Sequence, residues 1–132
     1  MADIGTPPKA RVLAVDDSSL VRLYYRSALE KAGFVVEQAI NGIEAMEKVL
    51  SGPFDLVIVD VNMPRMDGFT FLRSLRGCAA DVATLPALMI STESGMQDVA
   101  DARAAGANFY LVKPVAEAEL VRHVCALTGA GL

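Results

Sequence analysis

The stretch LVIVDVNMPRMDG, residues 56–68, carries most of the information about the fold of this chain. Four apolar residues run without alternation into Asp60, and a loop containing Pro64, Asp67 and Gly68 follows. An unbroken apolar run is typical of a strand that is buried on both faces of a parallel sheet. A carboxylate at the end of such a strand needs water or a specific partner, because an unpaired buried charge is costly. The run therefore predicts a buried strand and marks Asp60 for a specific role.

Four other short apolar runs are similar to this one, and segments with helical spacing separate them. Together with residues 56–59, the predicted strands cover residues 11–15, 34–39, 87–90 and 109–112. The predicted helices run from Ser18 to Gly33, over about 43–50, from Gly68 past Leu75, over about 94–105 and around 120–127. A strand followed by a helix, repeated along the chain, predicts an α/β fold: a doubly wound, five-stranded parallel sheet with five helices.

Length and composition favour one compact domain. The chain has 132 residues, of which 53% are hydrophobic and 21% charged. These proportions allow a sizeable hydrophobic core and argue against a disordered chain. Residues 1–9, which include Pro7 and Pro8, are predicted to form a flexible tail. Residues 10–132 are predicted to form a single domain with no output domain attached.

Charge and cysteine content exclude several classes of function. The net charge is −4 and no run rich in Lys or Arg is present, which argues against nucleic-acid binding. Cys78 and Cys125 form no CxxC pattern, so a disulfide framework and a cysteine zinc site are excluded. No apolar run approaches the roughly 20 residues that span a bilayer, and the N-terminus lacks a secretory signal. We therefore expect a cytoplasmic protein that is not bound to membrane.

Polar side chains follow four of the five predicted strands. Asp16 and Asp17 follow the first strand, Asp60 the third, Ser91 the fourth and Lys113 the fifth. Ligands of open α/β sheets bind outside the carboxyl ends of the strands, so we expect these side chains to share one edge. Each residue taken alone is as well explained as a solvated strand end or a helix cap. The joint pattern is harder to explain in that way.

The residue types at this edge indicate phosphate chemistry. Three neighbouring carboxylates repel one another and call for a cation. Hard oxygen ligands suit Mg²⁺, which keeps several waters and favours phosphates as its remaining partners. A lysine beside them can bind a phosphoryl oxygen, and a carboxylate can act as a nucleophile that forms an aspartyl phosphate. The residues alone therefore suggest Mg²⁺-assisted phosphoryl transfer to an aspartate.

Four segments carry a resemblance to a known family. They are LAVDDSS (13–19), LVIVDVNMPRMDG (56–68), LPALMISTES (85–94) and GANFYLVKP (106–114). In this order they resemble the receiver domains of bacterial response regulators, above all the single-domain chemotaxis type, the CheY-like proteins. The resemblance spans about residues 10–128. It implies a flavodoxin-like fold with sheet order 2-1-3-4-5.

The resemblance also implies a role for each acidic residue. Asp60 would be the phosphoacceptor, which receives a phosphoryl group from a phosphohistidine on a sensor histidine kinase or a phosphotransfer protein. Asp17, Asp60 and the backbone carbonyl of Asn62 would bind Mg²⁺ directly, and Asp16 would act through a metal-bound water. Lys113 would pair with the phosphoryl oxygens. The peptide bond between Lys113 and Pro114 is usually cis in the family.

A switch is implied by the same resemblance. Ser91 would turn inward to bond the phosphoryl group, and Tyr110 would follow it from the outside to the inside. The surface of the fourth predicted helix, the fifth strand and the fifth helix would be the output face, which binds a downstream protein. Such a protein is a phosphoacceptor switch and not an enzyme. At Thr92 the chain departs from the chemotaxis pattern, where a small alanine is common.

Other functions compete with this interpretation. A haloacid-dehalogenase phosphohydrolase also uses an Asp nucleophile, Mg²⁺ and a lysine, but it needs an Asp-x-Asp pair where this chain has adjacent Asp16 and Asp17. A flavodoxin-like cofactor binder needs a phosphate loop after the first strand, and two acids there would repel a phosphate. Within the receiver class, a flagellar-motor ligand, a phosphorelay intermediate and a phosphate sink all remain open.

Overall fold

The computed structural model describes residues 8–130 of the chain. Five parallel strands form one sheet in the order β2-β1-β3-β4-β5. The strands are β1 (Arg11–Val15), β2 (Val35–Ala39), β3 (Leu56–Val59), β4 (Ala87–Ser91) and β5 (Phe109–Val112). The predicted fold class and sheet order are confirmed, and the predicted strands differ from the observed ones by one residue at most.

Helices cover both faces of this sheet. They are α1 (Ser19–Lys31), α2 (Gly42–Ser51), α3 (Gly68–Arg76), α4 (Ala80–Ala83), α5 (Met96–Ala105) and α6 (Glu117–Thr128). Side chains of α2, α3 and α5 form a core on one face, and those of α1 and α6 form a core on the other. Strand residues alternate between the two cores, as the twofold repeat of a strand requires: Leu13 joins the first and Val12 the second.

The helix α4 was not predicted. It is a single turn of four residues, too short to carry a helical repeat that the sequence could reveal. Because α4 lies between α3 and β4, the fourth and fifth predicted helices are α5 and α6 in the structure.

Burial differs between the centre and the edge of the sheet. Every residue of β3 and β4 is buried, as the apolar runs predicted. The prediction that the strands are buried is wrong for the two edge strands, β2 and β5, because each of them has only one neighbouring strand. Phe109 is 46% exposed and Val112 is 41% exposed. In α2, helical spacing places Leu50 on the same face as Met46 and Val49, yet Leu50 is 63% exposed.

Polar caps fix the loops that lead into three helices. Ser18 begins α1 and accepts a hydrogen bond from the Val21 amide at 3.3 Å. Asn41 caps α2 and Asp67 caps α3 in the same manner. A polar oxygen at this position satisfies an amide that the helix leaves without a partner. These caps set where the chain turns at the carboxyl ends of β1, β2 and β3.

The predicted flexible tail, residues 1–9, is only partly covered by the structure. Residues 1–7 of the predicted tail and the last two residues lie outside the described residues. Lys9 is described, and its amide donates a hydrogen bond to the Gly33 carbonyl at 3.0 Å. Within residues 8–130, no helix combines the length and the apolar character needed to cross a membrane.

Candidate functional site

Asp60 is a buried carboxylate at the carboxyl end of β3. Its backbone amide donates to the Val15 carbonyl at 3.0 Å, so pairing between β1 and β3 continues up to this residue. The residue is only 7% exposed. The pKa of Asp60 is raised to about 6, chiefly by burial; Lys113 and the Val61 amide lower it, while the charges of Asp16 and Asp17 raise it. The sheet therefore holds an acid whose charge is only partly compensated.

Two further carboxylates lie beside Asp60. The ligand oxygens of Asp16, Asp17 and Asp60 are all within 4.8 Å of one another. Asp16 is 1% exposed, whereas Asp17 is exposed. One oxygen of Asp16, Oδ1, accepts the Ser18 amide at 2.9 Å, which fixes the carboxylate at the start of α1. The prediction that three acids converge on one edge is confirmed.

Lys113 supplies the positive charge at this edge. Its Nζ donates to Asp16 Oδ2 at 2.9 Å and lies 3.6 Å from Asp60 Oδ1. Its backbone amide donates to the Ser91 carbonyl at 2.8 Å, which extends the pairing of β5 with β4. The Lys113–Pro114 peptide bond is cis, as the resemblance implied. One lysine thus contacts the two buried carboxylates of the cluster.

The donor set fits a divalent cation. Three carboxylates with one lysine leave net negative charge, and all the side-chain donors are hard oxygens of the kind that Mg²⁺ prefers. Asp17 is exposed, so an ion and its waters can reach the cluster from solvent. Asn62 is exposed in the loop after Asp60. Its backbone carbonyl remains a predicted ligand.

Gly68, the first residue of α3, packs against the backbone of Asp60. A Cβ at this position would lie 2.2 Å from the Asp60 carbonyl oxygen, so only glycine permits the observed approach of α3. The Gly68 amide donates to the Val61 carbonyl at 2.9 Å, and Asp67 Oδ1 caps α3 by accepting the Thr70 amide at 2.8 Å. Asp67 and Gly68 were expected in the loop at the start of a helix, but the packing of Gly68 against the site was not predicted. An Asp-Gly pair before helical spacing is the signal that could have suggested it.

The predicted switch residues meet through Glu93. Ser91 is the last residue of β4 and is fully buried, and its Oγ accepts the Glu93 amide at 3.2 Å. The Tyr110 hydroxyl donates to the Glu93 carbonyl at 2.7 Å. The ring is half-buried against the core that contains α3 and α5, and burial raises the pKa of Tyr110. One short segment therefore binds both side chains.

A contact that the sequence analysis missed joins α1 to the loop after β5. The Tyr24 hydroxyl donates to the Val115 carbonyl at 2.6 Å, only two residues beyond Lys113. The two partners are 91 residues apart, and no local pattern links them. This contact ties α1, which begins beside Asp16, to the segment that carries the lysine.

Comparison with known families settles the class of the domain. The model of the response regulator receiver domain matches residues 12–125. The chain belongs to this family. The transcriptional regulatory protein PrrA of Mycobacterium tuberculosis is 39% identical over 117 residues, and PrrA of Mycobacterium leprae is 40% identical. These residues are 89% of this chain but 49% of each relative, so the chain spans about half the length of the curated relatives it matches.

Solved structures show the same fold. The chemotaxis response regulator CheY4 of Vibrio cholerae superposes with a TM-score of 0.84 at 37% identity, covering 92% of this chain and 99% of CheY4. The signal receiver domain of a signal transduction histidine kinase from Syntrophus aciditrophicus also superposes with a TM-score of 0.84, at 32% identity. That alignment covers 91% of this chain and 90% of the other. The receiver family thus includes this chain, and the resemblance found in the sequence is confirmed.

Proposed function

We propose that this receiver domain is a phosphoacceptor switch of two-component signalling, with Asp60 as the phosphorylated residue. The observation that carries the proposal is the placement of Asp60, a buried carboxylate 3.6 Å from Lys113 Nζ and within 4.8 Å of two other acids. The donor would be a phosphohistidine on a sensor histidine kinase or a phosphotransfer protein. This proposal implies a cytoplasmic location and no substrate turnover beyond the domain's own phosphorylation and dephosphorylation.

The first step is nucleophilic attack by Asp60. An oxygen of its ionised carboxylate attacks phosphorus, the P–N bond of the donor breaks, and the electron pair of that bond leaves with the imidazole. The carboxylate has to be ionised for this attack. Because the pKa of Asp60 is raised to about 6, most of the Mg²⁺-free protein is ionised above pH 7.

Asp16, Asp17, Asp60 and the Asn62 carbonyl would hold Mg²⁺ beside the reacting oxygen, with Asp16 acting through water. When bound, the ion would neutralise the carboxylates and orient the phosphoryl oxygens. Lys113 would contribute a further positive charge. Its Nζ already lies between Asp16 and Asp60, so a short shift would bring it to a phosphoryl oxygen.

The readout would involve Ser91 and Tyr110. Phosphorylation would add about −1.5 to −2 charges beside β4, and the Ser91 hydroxyl would donate toward them. Turning toward the phosphoryl group would break the hydrogen bond between Ser91 Oγ and the Glu93 amide. Because Tyr110 binds the Glu93 carbonyl, its ring would move with this segment. The output face is the surface of α5, β5 and α6, where Phe109 is 46% exposed.

Two roles in signalling are supported by different relatives. The likeness to CheY4 over 99% of that chain favours a stand-alone regulator that binds a partner, such as a flagellar motor switch. The PrrA relatives favour a second candidate, the receiver part of a longer regulator of transcription. A phosphorelay intermediate or phosphate sink would use the same phosphorylation site.

The test is phosphorylation by acetyl phosphate with Mg²⁺, followed by intact-mass measurement. We expect one phosphoryl group that is stable to acid and labile to base. Asp60→Asn should abolish uptake, while Asp67→Asn should retain it, because Asp67 is an exposed cap in the same loop. Uptake by Asp60→Asn at the wild-type level would refute the site, and uptake without Mg²⁺ would refute the metal role. A pull-down with and without beryllofluoride then compares motor proteins with promoter DNA as partners.

A further inference from the structure

Arg22 links α1 to the carboxyl ends of β1 and β2. It lies one turn past the Ser18 cap, is half-buried, and directs its guanidinium toward the sheet. Its Nη1 donates to the Asp16 backbone carbonyl at 2.6 Å, and its Nε donates to Gln38 Oε1 at 2.9 Å. Gln38 lies in β2 and pairs with Ala14 of β1. Arg22 therefore anchors the end of β1 to the neighbouring strand.

The backbone of Asp16 is held on both sides. Its amide donates to the Ala39 carbonyl at 3.2 Å, and its own carbonyl accepts Arg22. Its carboxylate is separately fixed by the Ser18 amide and by Lys113. The carbonyl that Arg22 holds belongs to the peptide joining Asp16 to Asp17. The orientation of this peptide determines where the side chain of Asp17 leaves the backbone.

Asp17 depends on that orientation more than the other two acids do. Asp16 and Asp60 are buried and lie in or directly after strands, whereas Asp17 is exposed. Its carboxylate nonetheless lies within 4.8 Å of the other two. An exposed acid in a turn keeps such a position when its backbone is fixed. The hydrogen bond from Arg22 to the preceding carbonyl provides this constraint.

We infer that Arg22 is a positioning residue of the metal site: it fixes the peptide between Asp16 and Asp17 and so keeps Asp17 in the carboxylate cluster. This inference rests on the proposed function, because it assigns Arg22 a part in Mg²⁺ binding. The task suits arginine, whose rigid planar fork makes two hydrogen bonds in fixed directions. A lysine at this position keeps the charge but cannot hold both oxygens with the same geometry.

The test is the dissociation constant for Mg²⁺, measured by calorimetry on wild type and on Arg22→Met. We expect binding about 10-fold weaker in the variant, as is typical when a residue that orients a metal ligand is removed. Arg26→Met is the matched control. Arg26 lies one turn further along α1, is exposed, and pairs only with Glu30 at 3.2 Å among its described contacts. Its removal should leave the constant unchanged.

Phosphorylation at saturating Mg²⁺ separates positioning from general damage. Arg22 has no described contact with Asp60, so uptake from acetyl phosphate should return to within about 2-fold of wild type once the site is filled. Arg22→Lys should bind Mg²⁺ more weakly than wild type although it retains the charge. A constant for Arg22→Met equal to that of Arg26→Met would overturn the inference.

Two further outcomes are decisive. If Arg22→Met does not fold, Gln38→Leu replaces it, because this change removes only the second anchor of the guanidinium. We then expect a smaller weakening of Mg²⁺ binding, and an unchanged constant would overturn the positioning role. Wild-type protein that neither binds Mg²⁺ nor takes up a phosphoryl group would contradict the proposed function itself. Wild type that does both, with an unaffected Arg22 variant, would contradict only the inference about Arg22.

Discussion

A charged side chain is at least partly buried at each end of α3: Asp60 lies beside the first residue and Arg76 is the last. The two side chains differ in their hydrogen-bond and ion-pair partners. At the first residue of the helix, Gly68 packs against the carbonyl of Asp60, one of three clustered carboxylates of which two pair with Lys113. At the last residue, the guanidinium of Arg76 donates to carbonyl oxygens of Ala83, Leu85 and Gly106 at 2.6–3.1 Å. It also donates to Asn108 Oδ1 at 3.0 Å.

The two side chains differ in how completely hydrogen bonds and ion pairs compensate their charge. Arg76 is surrounded by neutral acceptors that use its donors and join α3 to the amino ends of β4 and β5. Asp60 keeps a pKa raised to about 6, because burial and neighbouring acids outweigh Lys113. A satisfied charge supports the fold, whereas an incompletely matched one favours the arrival of a cation and a phosphoryl group. The comparison predicts opposite consequences for changes at the two ends.

The largest effect on stability is expected from Lys113→Met. This change leaves Asp16, which is 1% exposed, without its cation and should lower the free energy of unfolding by about 4 kcal/mol without Mg²⁺. Saturating Mg²⁺ should recover part of the loss, because it supplies the missing positive charge. Urea unfolding followed by circular dichroism measures both values. Lys31→Met, which removes an exposed pair with Glu117, should change stability by less than about 1 kcal/mol. Equal losses in the two variants would contradict the view that the buried pair matters more.

A somewhat smaller loss is expected from Gly68→Ala. The added Cβ would lie 2.2 Å from the Asp60 carbonyl oxygen, so α3 or the end of β3 has to shift, at about 3 kcal/mol. Phosphorylation should slow because the displaced backbone carries Asp60. Gly77→Ala is the control at the other end of α3: its Cβ would meet the Arg73 and Ser74 carbonyls at 3.6 Å, an ordinary contact. Normal phosphorylation by folded Gly68→Ala would show that the close approach is not needed for the site.

Arg76→Met should destabilise the protein without impairing the site. Several carbonyl oxygens would lose their donor, and we expect a loss of about 2–3 kcal/mol in the free energy of unfolding. Uptake of phosphoryl groups from acetyl phosphate at a temperature where the variant is folded should stay near the wild-type rate. Arg73→Met, which removes an exposed arginine from the same helix, should have little effect on either measurement. A large drop in phosphorylation rate would mean that the two ends of α3 are coupled.

The smallest effect has the opposite sign. A raised pKa for Asp60, about 6 against the usual 3.8, means that its contribution to stability is complete below pH 4 and is lost as pH rises through 6. Without Mg²⁺, Asp60→Asn should therefore be more stable than wild type by about 2 kcal/mol at pH 7.5. This advantage should shrink as pH falls toward 5.

Unfolding curves of wild type, Asp60→Asn and Arg76→Met at pH 5 and pH 7.5 provide the measurement. Arg76→Met should keep the wild-type pH dependence, because the charge it removes does not titrate in this range. If the Asp60→Asn variant is less stable than wild type at pH 7.5, the charge of Asp60 is fully compensated by its neighbours in the Mg²⁺-free protein. The contrast between the two ends of α3 would then fail.

Local patterns in the sequence were enough to predict most of the fold. The apolar run before Asp60 gave a buried strand, and the polar residues after the first, third, fourth and fifth strands do lie at one edge. The caps at Ser18 and Asn41 also follow from short-range chemistry, because each side chain accepts an amide only three residues away. Such contacts are encoded by neighbours along the chain.

What local patterns did not predict involves distant partners or exposure. The single turn α4 has no repeat to detect, and the exposure of Phe109 depends on β5 being an edge strand. The hydrogen bond from Tyr24 to Val115 joins residues 91 positions apart. The spacing of residues in the sequence cannot predict such a hydrogen bond, because it depends on how α1 packs against the end of the sheet.

The sequence by itself determined the α/β class, which polar residues lie at the acidic edge of the sheet, and the likeness to receiver domains. These features depend on residue type and spacing. Only the tertiary structure decided that Asp60 is buried among acids with one lysine, that Gly68 touches its carbonyl and that Arg22 holds the peptide before Asp17. The physical reason is that burial, pKa and backbone contact are properties of packed neighbours. Those neighbours come from separate strands and helices, and the fold alone brings them together.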